Sequence, residues 1–553
     1  MIGVIAKLED HDVVREFFEL FKTPWEFYQP HRSYDVLLVT RDVPVKLEAR
    51  IIVFYAGEKR EFDGKHQFPV GRPRNRSCVL TYGSHQIPIY GESVAFFVEA
   101  DDRPERAEHS EAAYARKTEG QILVRVGYDL FSEFRYLLTV GQPPSNAPIP
   151  TADLHIALLR DLITANGVPL AEIPPVPEGF NFVVCLTHDV DHPSLLRHRF
   201  DHTTCGLLYR GGPGSCWNFI RGRMSLRQLL KNWAAILSLP FVHIGIAKDF
   251  WRNFGDRYLE IERGFPSTFF IIPFSNYPGR TRTASAPRFR AARYRASELS
   301  DVVHMLTAAG CEVGLHGIDA WLASTDALKE LDEIRRLTSV QECGVRMHWL
   351  YFDQGSPNAL DLAGASYDST VGYNGTVGYR AGTSQVYRPL NSNRMLELPM
   401  HAMDTALLYP GYLHLSSREA KKVIGHLADN ATQFGGALTI NWHDRSLAPE
   451  RQWDSCYRDM FEDLKSRGAW FATAGQAVSW FRKRRAAIFA AEDADPRTVR
   501  ASVLHADKSR LPRLRLRVHG RSDGVQRKGM PRSYSDFPIT EVFDTAACCE
   551  VHQ

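Results

Sequence analysis

Between residues 180 and 485 the chain keeps one rhythm: a short apolar run, a helix-patterned stretch, a turn. The runs are FVVCLT (182–187), STFFII (267–272), CEVGLH (311–316) and ALTINW (437–442). Between them, SELSDVVHMLTAAG (297–310) aligns Leu299, Val302, Val303 and Leu306 on one helical face and stops at Gly310. TDALKELDEIRRLT (325–338) and SCYRDMFEDLKSRG (455–468) are also helical, the second aligning Tyr457, Met460, Phe461 and Leu464 before Gly468. Apolar strands that alternate with amphipathic helices imply a parallel sheet or a barrel. A region of about 305 residues suits a barrel with insertions. The expected fold class is α/β.

The flanks read differently. In residues 1–175, SYDVLLVT and ARIIVFYAG have strand character and DVVREFFELF that of an amphipathic helix, which predicts an accessory α+β domain. The Pro-rich GVPLAEIPPVPEG (167–179) is a candidate linker, because Pro blocks both helix and central strand. Residues 193–257 form an insertion after the first strand of the rhythm. Within it, LLKNWAAILSLPFVHIGIA (229–247) is broken by Lys231, Asn232, Pro240 and His243. It reads as a buried or interfacial helix followed by a strand-like piece, rather than as a membrane-contacting segment. Residues 486–553 are basic and poor in apolar faces, and are expected to be a weakly ordered, solvated tail.

Composition excludes several classes. Length alone, 553 residues, predicts two or three domains. With a net charge of only +3, the chain as a whole does not read as a nucleic-acid or membrane binder. The nine cysteines are odd in number and, apart from the adjacent Cys548 and Cys549, widely spaced with no CxxC, against both a disulfide framework and a cysteine zinc site. No run of apolar residues is long enough to span a bilayer, and the first residues lack a secretory pattern, so a cytoplasmic location is expected.

In parallel α/β folds the reactive groups collect at the C-terminal ends of strands. Asp189 and Asp191 follow the first run, with His188 and His192 beside them. His316 ends CEVGLH, Arg346 and His348 follow Gly344, and His443 ends ALTINW with Asp444 next. An Asp and a His can hold a divalent metal, a second carboxylate can take a proton from water, and another His can protonate a leaving group. No GxSxG, GxxxxGK[ST] or HExxH is present to support other hydrolytic or phosphate chemistry.

With these residues in place, the stretch 180–485 resembles the polysaccharide deacetylases, the NodB-type carbohydrate esterases. THDVD stands where that family has its first motif, CEVGLHGIDAW its second, GVRMHWLYFD its third, LELPMHAMDTAL its fourth and LTINWHD its fifth. GASYDSTVGYNGTVGYRAGT (364–383) is similar to a bacterial subgroup with an extra N-terminal domain. The resemblance implies a distorted (β/α) barrel that removes acetyl groups from N-acetylated sugars with a divalent metal, zinc or possibly cobalt. It implies Asp189 as catalytic base, Arg346 orienting it, His443 as general acid and Asp404 as the partner of that His. Asp191 and His316 are the implied metal ligands. The family's second motif carries another His four residues after the first, where this chain has Ala320. Asp319, His192 or His348 are the candidates to replace it, Asp319 being the nearest in sequence. Ala320 also leaves open a non-catalytic carbohydrate-binding protein, and the same motifs allow an amidohydrolase of small non-sugar amides. Of the aromatic residues Trp349, Tyr351, Phe352, Tyr373 and Trp442, most are expected in the core, some against sugar faces.

Overall fold

A computed structural model describes residues 1–552 except 44–46, 72–77, 97–111, 119, 200, 223, 492–497, 504–510, 521–533 and 540–548. The chain divides into two compact units. One comprises Phe180–Gly378 and Asn391–Ser479; the other comprises Met1–Gly179, Tyr379–Leu390 and Trp480–Gln553.

The first unit is built on nine parallel strands. Eight lie side by side in the order Leu396–Glu397, Tyr367–Asp368, Gly344–Met347, Glu312–Gly317, Thr268–Ile271, Val183–Val190, Ala437–Asn441, Ala402–Met403, and Trp470–Phe471 adds to the start of Val183–Val190. Every residue of Val183–Val190 is buried, which explains a continuous rather than alternating apolar run: a central parallel strand is covered on both faces. The outermost strands of the row, 396–397 and 402–403, are consecutive in the chain. Five residue steps reach at most about 18 Å, whereas eight strands laid flat would span about 34 Å. The sheet therefore has to curl. His401 N–H closes onto the Thr439 carbonyl at 3.0 Å, and Leu398 N–H onto that of Asp368 at 2.8 Å. The result is the curled parallel sheet of a distorted (β/α) barrel.

Helices cover this sheet where the periodicity predicted them. Ser324–Thr338 buries Ala327, Leu331 and Ile334 and ends on Ser339 in the left-handed region. Asp454–Ser466 buries Tyr457, Met460, Phe461 and Leu464. Ser417–Phe434 opens with a reciprocal capping box between Ser416 and Glu419. One glycine is sterically required: a Cβ on Gly344 would meet the Tyr367 ring at 1.9 Å. Tyr367 lies across the neighbouring strand and donates to Glu312 Oε1 at 2.8 Å, so the aromatic ring spans three strands over the gap that Gly344 leaves.

In the second unit, the strands Trp25–Phe27, Ile2–Ile5, Tyr34–Val39, Ala49–Tyr55 and Gln121–Val126 run parallel, with Ala113–Thr118 antiparallel at the edge. Leu37, Val39, Ile52, Phe54 and Leu123 share one core with Phe68. Two stretches read from sequence as irregular carry order. Leu170–Glu172, inside the Pro-rich candidate linker, is a strand paired with Arg515–His519, inside the expected tail, and Arg515–His519 pairs in turn with Tyr534–Pro538. Glu172 holds the junction: it accepts from Arg160 at 2.8 Å and meets His519 Nε2 at 3.0 Å. Other parts of the tail, 521–533 among them, lie outside the described residues. Among the described residues no helix is long and apolar enough to cross a membrane.

Candidate metal centre

Parallel strands in register carry their C-terminal ends to one rim. His316 pairs with Arg346 across neighbouring strands, and Asp189 with Phe270. Side chains alternate along a strand, so Asp189 and Asp191 point to the same side. At this rim three donor atoms converge. Asp191 Oδ1 lies 3.4 Å from His316 Nε2 and 3.3 Å from His348 Nδ1, and the two imidazole nitrogens are 3.1 Å apart.

The donor set fits a divalent metal on three counts. Bond lengths of about 2.0–2.1 Å in a tetrahedral shell put neighbouring ligand atoms about 3.4 Å apart, close to the separations seen. Asp191 Oδ1 is buried without a hydrogen-bond donor. The tautomer of His316 is also set, because its Nδ1–H donates to the Arg346 carbonyl at 2.9 Å and leaves the Nε2 lone pair facing the cluster. Burial lowers His348 to about 4, offset in part by Asp191, so its imidazole is neutral as a ligand must be. Burial alone would raise the Asp191 carboxyl. The surrounding imidazoles of His348, His316 and His443 instead hold it well below the usual carboxylate range.

His348 reaches the cluster through a sharp turn. Trp349 and Leu350 follow it with φ of 62° and 52°, a conformation that side-chain-bearing residues adopt at a cost. Two groups hold the turn: Arg290 Nη2 donates to the His348 carbonyl at 2.9 Å, and Asn374 Nδ2 to that of Trp349 at 3.0 Å.

Asp319, the sequence candidate for the missing ligand, is committed elsewhere. Its Oδ1 accepts Arg280 N–H at 2.8 Å, and its Oδ2 accepts Arg280 Nε at 3.0 Å and the Tyr277 hydroxyl at 2.5 Å. It anchors a loop whose turn at Gly279 (φ +77°) has no room for a Cβ beside that carboxylate. The sequence expects Asp319 as a ligand; here its lone pairs serve the loop, and the group that stands with Asp191 and His316 is His348, just after the next strand. His192 is also turned away, its Nδ1 meeting His198 Nε2 at 3.2 Å. Ala320 is fully buried.

Two further groups flank the donors. Asp189 Oδ2 is 3.9 Å from His316 Nε2. This carboxylate accepts from Asn441 Nδ2 at 2.8 Å and Arg346 Nη1 at 3.3 Å. Arg346 is itself fixed, donating to Thr187 Oγ1 and to the carbonyl and hydroxyl of Ser369 while lying over Phe270. On another side, His443 Nε2 is 3.9 Å from Asp191 Oδ2. His443 Nδ1 meets Asp404 Oδ1 at 2.6 Å, and Asp404 Oδ2 accepts the His443 backbone N–H and the Ser446 hydroxyl. Burial would lower His443, but Asp404, Asp191 and Asp189 outweigh it and raise the imidazole to about 9. The structure thus brings Asp189, Asp191, His316, Arg346, Asp404 and His443 to one rim. Sequence reasoning passed over Asn441, whose only signal was its place at the end of a strand. His188 belongs to the layer behind, between the Trp442 carbonyl and Glu262.

No protein-family model matches the chain, and no curated protein matches it. Among solved structures, a Mycobacterium smegmatis protein assigned as a polysaccharide deacetylase is similar at 17% identity and a TM-score of 0.35, over 56% of this chain and 94% of its own. A Pseudomonas aeruginosa PAO1 protein assigned likewise gives 15% identity and 0.32, over 59% and 98%. Agd3, a carbohydrate deacetylase, gives 9% and 0.34, over 94% of this chain and 91% of its own. The fold described here rests on strand order and pairing, and the site on its own geometry.

Proposed function

We propose that this chain is a metal-dependent hydrolase that removes acetyl groups from N-acetylated sugars. One observation carries the reading: a buried carboxylate, Asp189, and an imidazole, His443, stand on either side of three converging metal donors, each with its own orienting partner. Asp191, His316 and His348 would hold the ion, zinc or cobalt by the chemistry of the set. When bound, such an ion polarises a carbonyl and acidifies a water.

The rest is the work of the chain. Asp189, kept aimed by Arg346 and Asn441, takes the proton of the attacking water. His443, with Nδ1 bound to Asp404, presents Nε2 to the site and gives its proton to the leaving nitrogen. An amide needs that proton, since an amine anion is a poor leaving group. Phe289 is exposed, its ring centroid 5.4 Å from that of the half-buried Trp349, and supports a sugar ring as the flanking group. Trp442, by contrast, is fully buried.

The test is acetate release from a panel of N-acetylated saccharides and small amides by protein loaded with zinc or cobalt. Sugars should be turned over, and Asp189→Asn and His443→Ala should each lower kcat by about 10²–10⁴-fold with the fold retained. Turnover confined to small amides would move the reading to an amidohydrolase. Full activity in either variant would remove the mechanism.

A further inference from the structure

Between Asp201 and Asp249 the sequence contains no acidic residue: residues 202–248 hold six Arg or Lys and no Asp or Glu. At the chain's own acidic content, 64 of 553, about five would be expected there. This is most of the insertion after the first barrel strand. Its main element is the helix Leu226–His243, capped by Ser225 and Gln228.

That helix is apolar on two opposite faces. Leu229, Ala235, Leu239 and Val242 are buried, and Leu239 and Val242 pack with Trp251 and Leu207. Leu226, Leu230, Trp233, Leu237, Phe241 and Ile244 recur at steps of four, three, four, four and three, and all six are exposed. At 100° per residue they occupy an arc of about 80°. Leu237 is 71% exposed and Ile244 66%. A helix apolar all round is ordinarily buried all round. Among the described residues one stripe has no cover. The segment before it adds Trp217 and Ile220, the latter 74% exposed, with the Arg221 guanidinium 4.4 Å over the Trp217 ring. Arg227 and Lys231 are exposed beside the stripe, where their aliphatic stems can follow apolar surface while the charges stay in water.

We propose that this insertion is an interfacial membrane anchor, which lays the stripe Leu226–Ile244 into the surface of a bilayer rich in anionic lipid. A contiguous apolar patch of this kind marks an interaction surface. The charge selects the occupant: a segment with cations and no carboxylate of its own suits a layer of phosphate headgroups, and Trp and Phe beside Arg and Lys suit the headgroup boundary. The helix lies on the membrane rather than through it, since Arg227 and Lys231 interrupt its first turns and it has only 18 residues with Pro240 inside. The apolar content of this segment is plain in the sequence, which argues there against membrane contact, but which face points outward is decided by the fold. The anchor is also joined to the site. In the loop that follows His443, Gln452 Nε2 donates to the Gln228 carbonyl at 2.9 Å and Glu450 Oε1 accepts Trp251 Nε1 at 3.0 Å. Docking therefore holds the candidate metal centre beside a bilayer. The inference does not require that centre to hydrolyse anything.

The test is co-sedimentation of the full chain with vesicles of phosphatidylcholine, with and without phosphatidylglycerol. Binding is expected to the anionic vesicles and to weaken with salt. The triple variant Leu230→Gln, Trp233→Gln, Leu237→Gln changes only exposed positions and should bind at least about tenfold more weakly. Arg227→Gln with Lys231→Gln should reduce the preference for anionic vesicles while leaving circular dichroism unchanged. Absence of binding to either vesicle overturns the proposal, as does wild-type binding by the triple variant. So does a stable dimer in vesicle-free solution that the triple variant dissociates, because the stripe would then be covered by a second copy.

Discussion

At the scale of single residues, competition for lone pairs decides which group stands with Asp191 and His316. Asp319 is one position from the residue it was expected to replace, yet both its oxygens are taken by Arg280 and Tyr277. His348 Nδ1 instead faces His316 Nε2 at 3.1 Å and Asp191 Oδ1 at 3.3 Å. The two assignments separate cleanly in a metal titration. His348→Ala should weaken zinc binding by well over about 100-fold, a larger effect than removing an outer-shell partner, for which about 10–100-fold is usual. Asp319→Ala should leave stoichiometry and affinity unchanged and loosen only the loop around Gly279, visible as faster proteolysis there. Equal loss of zinc in both variants would restore Asp319 to the centre. Asp189, Asp191, His316 and His443 stand out in the sequence, since each is an ionisable residue where an apolar run stops. Asn441 does not, because an amide at a strand end looks like any turn residue.

At the scale of elements, the long members of the barrel were readable and the short ones were not. Val183–Val190 and Ala437–Asn441 declare themselves by apolar content, and Ser324–Thr338 and Asp454–Ser466 by a repeat near 3.6. Tyr367–Asp368, Leu396–Glu397 and Ala402–Met403 have two residues each, too few for any period, and exist because neighbouring strands offer them partners. Close packing at these joints is testable. Gly344→Ala would drive a methyl into Tyr367, and should lower stability by about 1–3 kcal/mol or more in denaturant unfolding, since an overpacked sheet has little freedom to yield. Ser416→Ala should cost about 1 kcal/mol by removing the cap of Ser417–Phe434. A neutral Gly344→Ala would mean that the Tyr367 ring moves aside easily and does not hold the strands.

At the scale of the whole molecule, each unit carries its own response to conditions. In the barrel, a bound ion stabilises the folded state in proportion to the logarithm of its concentration over Kd. Chelator should therefore lower the barrel's unfolding temperature, and His348→Ala should abolish that sensitivity. In the other unit the marker is His155, fully buried with Nδ1 on the Tyr128 hydroxyl at 2.9 Å. Burial lowers its pKa from 6.5 to about 3. The unfolded chain takes up the proton first, so this contribution is complete above pH 6.5 and is lost as pH falls toward 3. Between pH 6.5 and 5 the loss is about 2 kcal/mol. Burial raises Asp153 and Glu133 in the same unit to about 7, which acts in the opposite sense: stability is lost as pH climbs from the carboxylate range through 7. Comparing wild type with His155→Phe across pH 5–7 isolates the histidine. The variant should lose less stability on acidification, and parallel curves would show that His155 is not the sensor.

By itself the sequence settles what depends on neighbours along the chain. Period and polarity give the strands, the helices and the α/β class, and the points where apolar runs stop give the candidate acids and histidines. The tertiary structure alone decides what depends on residues far apart meeting. It closes the row of strands with the four residues 398–401, places His348 rather than Asp319 beside Asp191 and His316, turns one apolar face of Leu226–His243 inward and leaves the other outward, and recruits Arg515–His519 to a strand inside a Pro-rich stretch. The physical reason is common to all four. A propensity is a property of a segment, whereas a lone pair, an edge or a face is satisfied or left open only by what arrives opposite it.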